Sequence, residues 1–120
     1  MTLTNTAKDA AVNAVVDLLD ASGNCKFETS GDVEVATLPL SATAFEASSN
    51  GTAAANTITS DTSATGGTIA QVSFYTSGGT KIFEASCSLS GGGGDVICTS
   101  LSIGAGDTVG ISSFTVTQPA

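Results

Sequence analysis

Two runs of alternating apolar and polar residues flank the glycine pair Gly78-Gly79. Both glycines are free to take positive φ, which makes the pair a two-residue hairpin reversal. Counting outward from the pair sets Phe74 opposite Phe83, Val72 opposite Ala85 and Ala70 opposite Cys87, all on one face. A second reversal follows at Ser90-Gly91-Gly92-Gly93-Gly94-Asp95. A symmetric turn there pairs Leu89 with Val96 and Cys87 with Cys98, so the apolar face continues across three strands. The opposite face carries Gln71, Ser73, Tyr75, Glu84, Ser86, Ser88 and Thr99, with Ile82 and Ile97 as exceptions. Ile69 to Ile103 therefore reads as an antiparallel meander with one buried and one mostly polar side.

The period is different at the start of the chain. Ala11, Val12, Val15, Val16, Leu18 and Leu19 recur at helical spacing, and Thr6 with Asp9 three residues later has the form of a capping box, predicting a helix from Thr6 to about Leu19. Ala21-Ser22-Gly23 stops it, with Gly23 suited to a left-handed cap. Such a helix either packs on its own domain or docks on a neighbouring subunit or a host surface. Lys26 to Glu28 is a weak strand, and Asp32 to Leu38 alternates clearly until Pro39 limits it to an edge or a strand end. Ser48 to Gly67 is a small-residue tract of loop character in which Ala55 to Ser60 pairs briefly. In the last segment Val109 and Ile111 fall on one face and Phe114 and Val116 on the other, and a bulge at Ser112-Ser113 returns all four to the core. The expected fold is mainly β: an antiparallel β-sandwich or jelly-roll-like domain over residues 23–120, preceded by a short N-terminal α-helix within residues 1–22, the whole forming one folding unit.

Composition limits the chemistry. The 120 residues include no His, Arg or Trp, and three Lys against eleven acidic residues give a net charge of -8. Imidazole, guanidinium and perturbed Lys are the usual proton movers and anion clamps near neutral pH, so no catalytic residue, cofactor or metal is expected. Dispersed carboxylates without clustered cations exclude nucleic acid as a partner, and no apolar run suits a membrane span or a signal peptide, which points to synthesis in a cytoplasm. Asp32 and Glu34 share a face of the predicted strand, where paired carboxylates serve hydrolysis or Ca²⁺ binding, although a solvated strand face explains them more simply. Asn50-Gly51-Thr52 matches a glycosylation sequon, but its Asn-Gly reads better as a turn. Gly104 to Gly110 departs from a dinucleotide-binding fingerprint at Val109 and reads as a connecting turn. Cys87 and Cys98, directly opposite under the symmetric turn, are candidates for an intrachain disulfide or for two buried thiols; Cys25 is either free or an intersubunit link.

Several segments carry a likeness to known proteins: the opening Met1-Thr2-Leu3-Thr4-Asn5-Thr6, then Ala36-Thr37-Leu38-Pro39-Leu40-Ser41-Ala42-Thr43-Ala44-Phe45, then Asn50-Gly51-Thr52 and Thr57-Ile58-Thr59-Ser60-Asp61-Thr62, and finally Ala105-Gly106-Asp107-Thr108-Val109 through Phe114-Thr115-Val116-Thr117-Gln118-Pro119. In that order the chain resembles a family of small tailed-bacteriophage proteins encoded among head and tail genes. The resemblance covers nearly the whole chain and rests on turn-like and compositional motifs. It implies a structural protein of the virion, made in the bacterial host cytoplasm: a homo-oligomeric capsid decoration protein, or a neck, collar or tail sheath-like subunit, that packs on itself and on virion proteins such as the major capsid or neck proteins. It carries over no catalytic residue, and the set Cys25, Cys87 and Cys98 departs from the family pattern. Low charge and short side chains agree with repeated packing, since little side-chain entropy is lost at each contact. A receptor- or carbohydrate-binding module is the alternative, weakened by the scarcity of aromatics, with Tyr75 as the only Tyr.

Overall fold

The computed structural model describes residues 2–20, 23–89, 96–98, 100–111 and 114–117, with the backbone alone at 97 and 98. The protein is mainly β with one short N-terminal helix. Helix α1 spans Asn5–Val16 and runs into a 3-10 turn at Asp17–Leu19. Nine short strands follow among the described residues: β1 (Asn24–Glu28), β2 (Glu34–Pro39), β3 (Thr52–Ala54), β4 (Gly67–Thr68), β5 (Gln71–Tyr75), β6 (Lys81–Leu89), β7 (Val96–Cys98), β8 (Ser102–Ile103) and β9 (Thr115–Thr117). They form a five-stranded sheet in the order β2-β1-β5-β6-β7 and two ribbons, β3-β9 and β4-β8.

The inner face of the sheet is built in rungs. Register places Leu38, Cys25, Phe74 and Phe83 side by side across β2, β1, β5 and β6, and Ala36, Phe27, Val72 and Ala85 in the next inward rung. Alternation thus sends one residue of each strand into a shared core. Phe114 stacks on Phe74 with ring centres 4.9 Å apart, and Phe74 stacks on Phe83 at 4.6 Å. Val12, Val16 and Leu19 from the helical region, Ala53, Phe45, Ile58 and Val109 join the same cluster. The weak candidate at Lys26 to Glu28 is part of β1, a central strand paired on both sides, because its residues Cys25 and Phe27 supply the apolar positions that Lys26 and Glu28 obscure in the sequence.

Pro39 does end an edge strand, as its missing N–H requires. Asp32 lies outside β2 at φ 63°, so it does not share a strand face with Glu34. Val35 is the extra residue of a bulge, and its carbonyl accepts from the N–H groups of Thr65 and Gly66. Asp61 Oδ2 accepts from Thr37 N at 2.9 Å, so the small-residue tract covers part of the exposed edge of β2. That tract is not simply loop: it contributes β3, which pairs with β9, and bridges between Phe45 and Ala55 and between Asp61 and Val109. Val109, Ile111, Phe114 and Val116 all reach the core as expected, while the bulge invoked at Ser112-Ser113 lies outside the described residues.

The Gly78-Gly79 hairpin keeps the expected register at Phe74–Phe83 and Val72–Ala85 by a different turn. Only Gly79 has positive φ, and its N–H donates to Thr76 O, which makes the loop one residue longer. A bulge at Ile82 restores the count, and Ile82, expected on the polar face, packs against the core. Ala70 precedes β5 and is exposed, so it does not form the expected inward pair with Cys87.

The reversal after Leu89 is the larger correction. Strand β7 runs parallel to β6, with Cys87 beside Val96 and Leu89 beside Cys98. Cys87 and Cys98 are therefore not opposite each other: two residues of offset along neighbouring strands puts their Cα atoms about 8 Å apart, beyond the roughly 7 Å that a disulfide spans. Alternation is blind to this difference, because either strand direction sets the odd-numbered residues of β6 beside the even-numbered apolar residues of β7. The glycine run at 91–94 has no side chain to impose one turn, and it lies outside the described residues. Leu89, expected inside, is 48% exposed.

The helix begins at Asn5, one residue before the expected start at Thr6. Thr4 is the N-cap, accepting from Ala7 N, so Thr6 and Asp9 do not form a capping box. Asp9 turns instead to the Asn50-Gly51 turn. Gly23 ends the helical region without positive φ; it is required by close packing, since a Cβ there would lie 2.6 Å from Leu19 O and 2.7 Å from Tyr75 O.

Candidate functional site

The outer face of the five-stranded sheet carries the densest polar arrangement among the described residues. Strand β1 presents Lys26 and Glu28, β5 presents Gln71, Ser73 and Tyr75, and β6 begins at Lys81. Antiparallel register aligns Lys26 with Ser73 and Glu28 with Gln71, so side chains of one parity from two strands converge. Glu28 is the centre. It is 2% exposed, and its carboxylate accepts from Ser73 Oγ at 2.6 Å, Tyr75 Oη at 2.6 Å and Gln71 Nε2 at 3.1 Å. Gln71 Nε2 also donates to Asp32 Oδ1, which draws the Thr29–Val33 turn over the edge of the cluster.

Lys81 supplies the local positive charge. Its Nζ stands 3.2 Å from Glu84, 3.8 Å from Glu28 and 3.9 Å from Asp32, so one ammonium is shared among three carboxylates. Tyr75 lies between two cations, with Lys26 Nζ 5.1 Å and Lys81 Nζ 5.9 Å from the ring centre. With its hydroxyl committed to Glu28 and lysines against its ring, the only Tyr is not presented as an open stacking platform for a sugar.

Burial pushes the Glu28 carboxyl up, but the hydrogen bonds from Ser73, Tyr75 and Gln71 and the charge of Lys81 together outweigh it and hold Glu28 below its ordinary value. The Tyr75 hydroxyl is pushed up, first by donating to Glu28 and then by burial. Lys81 is pushed up by its hydrogen bond to Glu84. All three shifts move away from neutrality, whereas a general acid or base works best with a pKa near the operating pH. This cluster fixes charges in place. It ties β1, β5, β6 and the Thr29–Val33 turn together with charge-assisted hydrogen bonds.

Among the described residues no group of three or more Cys, Asp or Glu is placed to hold a metal ion. Glu34 accepts from Thr37 Oγ1 and Thr65 Oγ1, each at 2.7 Å, and so faces the edge-covering segment rather than Asp32. Cys25 is fully buried; burial first, and the neighbouring Cys87 second, push its thiol up to about 12. An intersubunit link through Cys25 would require β1 to open. Cys87 is half-buried, and the side chain of Cys98 lies outside the described residues.

The sequence reading missed the Glu28 centre. The available signal was Gln71, Ser73 and Tyr75 at period two on one face, a row of donors awaiting an acceptor from a neighbouring strand.

The surface of α1 is the other notable feature. Its inner side buries Val12 and Val16, while Val15 is 38% exposed and Leu18, in the following turn, 55% exposed. Leu3, just before the helix, is 38% exposed, and Ala10 and Ala14 are also exposed. No described helix is long and apolar enough to cross a membrane. Comparison with family models, with curated proteins and with solved structures finds no match for this chain.

Proposed function

We propose that this protein is a structural, non-enzymatic component of a tailed-bacteriophage particle. It acts as a homo-oligomeric capsid decoration protein or as a neck, collar or tail subunit, and stabilises the virion through repeated contacts with its own copies and with other virion proteins. It is made in the host cytoplasm and resides in the particle. The resemblance of its segments to small phage head and tail proteins supplies the class, and the observation that carries the contact role is the exposure of Val15 on a helix whose other side is locked to its own domain, with Leu18 exposed in the turn after it and Leu3 exposed before it. Exposed apolar side chains of this kind suit burial against a second copy of the chain. A β-rich body with a five-stranded sheet and two small ribbons suits tiling. The charge-fixing cluster around Glu28 supports a mechanical role over a catalytic one.

The test is co-sedimentation of the protein with purified particles, with copy number measured by mass spectrometry, alongside the oligomeric state of the isolated protein. A fixed copy number above one, lost together with self-association in Leu18→Glu while the fold is retained, is the expected result. A monomer that stays off particles, or selective binding on a glycan array, would replace this reading with the recognition-module alternative.

A further inference from the structure

The Asn50-Gly51 pair has a second chemistry. Asn50 has φ 54° and Gly51 φ 80°, and Ser49 and Thr52 exchange backbone hydrogen bonds across them at 2.9 and 3.0 Å, which makes a tight two-residue reversal with both central residues left-handed. Of the five asparagines, Asn50 alone precedes glycine, the neighbour that least hinders attack by the following backbone nitrogen on the side-chain amide. Helix α1 lies over this turn. Asp9 Oδ1 accepts from Gly51 N at 2.8 Å, the Asp9 carbonyl accepts from Ser48 Oγ at 3.0 Å, Asn13 Oδ1 accepts from Ser48 N at 3.1 Å, and Asn5 Nδ2 donates to Asn50 Oδ1 at 3.1 Å.

We propose that Asn50 is a deamidation site held closed by the docked helix, with Asp9 sequestering the nucleophile. In the reaction the Gly51 nitrogen loses its proton to a solvent base and bonds to Asn50 Cγ. The Cγ–Nδ2 bond breaks, the side-chain nitrogen leaves as ammonia after taking up a proton, and a five-membered imide remains. Water then opens either imide carbonyl, giving Asp at position 50 or an isoaspartyl linkage.

Asp9 opposes the first step twice. Its carboxylate holds the N–H in a charge-assisted hydrogen bond, and its negative charge disfavours removal of that same proton. Ring closure also demands that Gly51 N swing onto the side chain, which breaks the Ser49–Thr52 pairing and the bond to Asp9 together. Release of α1 removes these restraints. The change is then one-way: either product sets a carboxylate beside that of Asp9, and the isoaspartyl form lengthens the backbone of a two-residue turn, so the helix no longer fits back. The site records whether α1 has left its own domain.

Intact-mass and peptide-mapping time courses at mildly alkaline pH test this on the full chain. Folded wild-type protein keeps Asn50 intact over a period in which the same chain in urea converts it, and Asp9→Ala, its fold checked by circular dichroism, converts severalfold faster than wild type. Asn13→Ala provides a second variant that loosens the helix without touching the Gly51 N–H, and it too accelerates conversion. Wild-type protein that deamidates as fast folded as unfolded, or folded Asp9→Ala and Asn13→Ala proteins no faster than wild type, would overturn the proposal.

Discussion

Tyr75 donates its hydroxyl to Glu28 at 2.6 Å, across two strands that lie 47 residues apart in sequence. That bond and its companion from Ser73 make a buried carboxylate tolerable, because a charge removed from water is stable only where donors and countercharge replace its hydration.

Tyr75→Phe removes one of those donors while keeping the ring between Lys26 and Lys81. A loss of about 1.5–3 kcal/mol is expected, the range for hydrogen bonds to charged groups. Urea denaturation checks it, and an unchanged midpoint would mean that water replaces the hydroxyl without penalty.

The same cluster makes stability depend on acid. Glu28 is held below its ordinary value of 4.5, so its contribution is complete above that value and fades as pH falls through the lower value of the folded state. Stability should therefore rise with pH across the acid range and level off above it. Ser73→Ala weakens the depression and flattens this limb; thermal melts of both proteins over a pH series provide the measurement.

Cys25 should be chemically silent in the native protein. Its burial and a thiol pushed up to about 12 leave almost no thiolate at mildly alkaline pH, and thiolate is the reactive form. Maleimide labelling followed by peptide mapping should find Cys25 unmodified until denaturant is added. Rapid native labelling would mean that β1 opens readily.

Gly23 and Gly79 should respond differently to alanine. At Gly23 a Cβ would meet two backbone carbonyl oxygens inside 3 Å, so Gly23→Ala is expected to cost about 1–3 kcal/mol through displaced backbone. At Gly79 a Cβ meets nothing, and the penalty of about 1–2 kcal/mol comes from the left-handed φ of 89° alone. Substituting Asn, which tolerates that conformation, should recover much of the loss at position 79 and none at position 23.

These contrasts mark where local pattern is informative. The Phe74–Phe83 and Val72–Ala85 pairs, the end of β2 at Pro39, the turn at Asn50-Gly51 and a turn within Gly104 to Gly110 were all legible from residue order. Each depends on neighbours a few residues apart, where alternation, proline's missing N–H or glycine's freedom acts directly. The Ile82 bulge escaped because two single-residue changes, a longer loop and an inserted residue, cancel in the register.

The mainly β character with a leading helix, and the inward face of β5 and β6, followed from the amino-acid sequence alone, since side-chain period is a property of consecutive residues. Tertiary structure decided the direction of β7, the central place of β1, the burial of Glu28 among donors from another strand, and the docking of Asp9 on Gly51. Apart from the direction of β7, whose partners in β6 are nine residues away, those choices join residues far apart in the chain. Parity and composition accept several partners for each of them, and only simultaneous packing and hydrogen-bond satisfaction throughout the core select one.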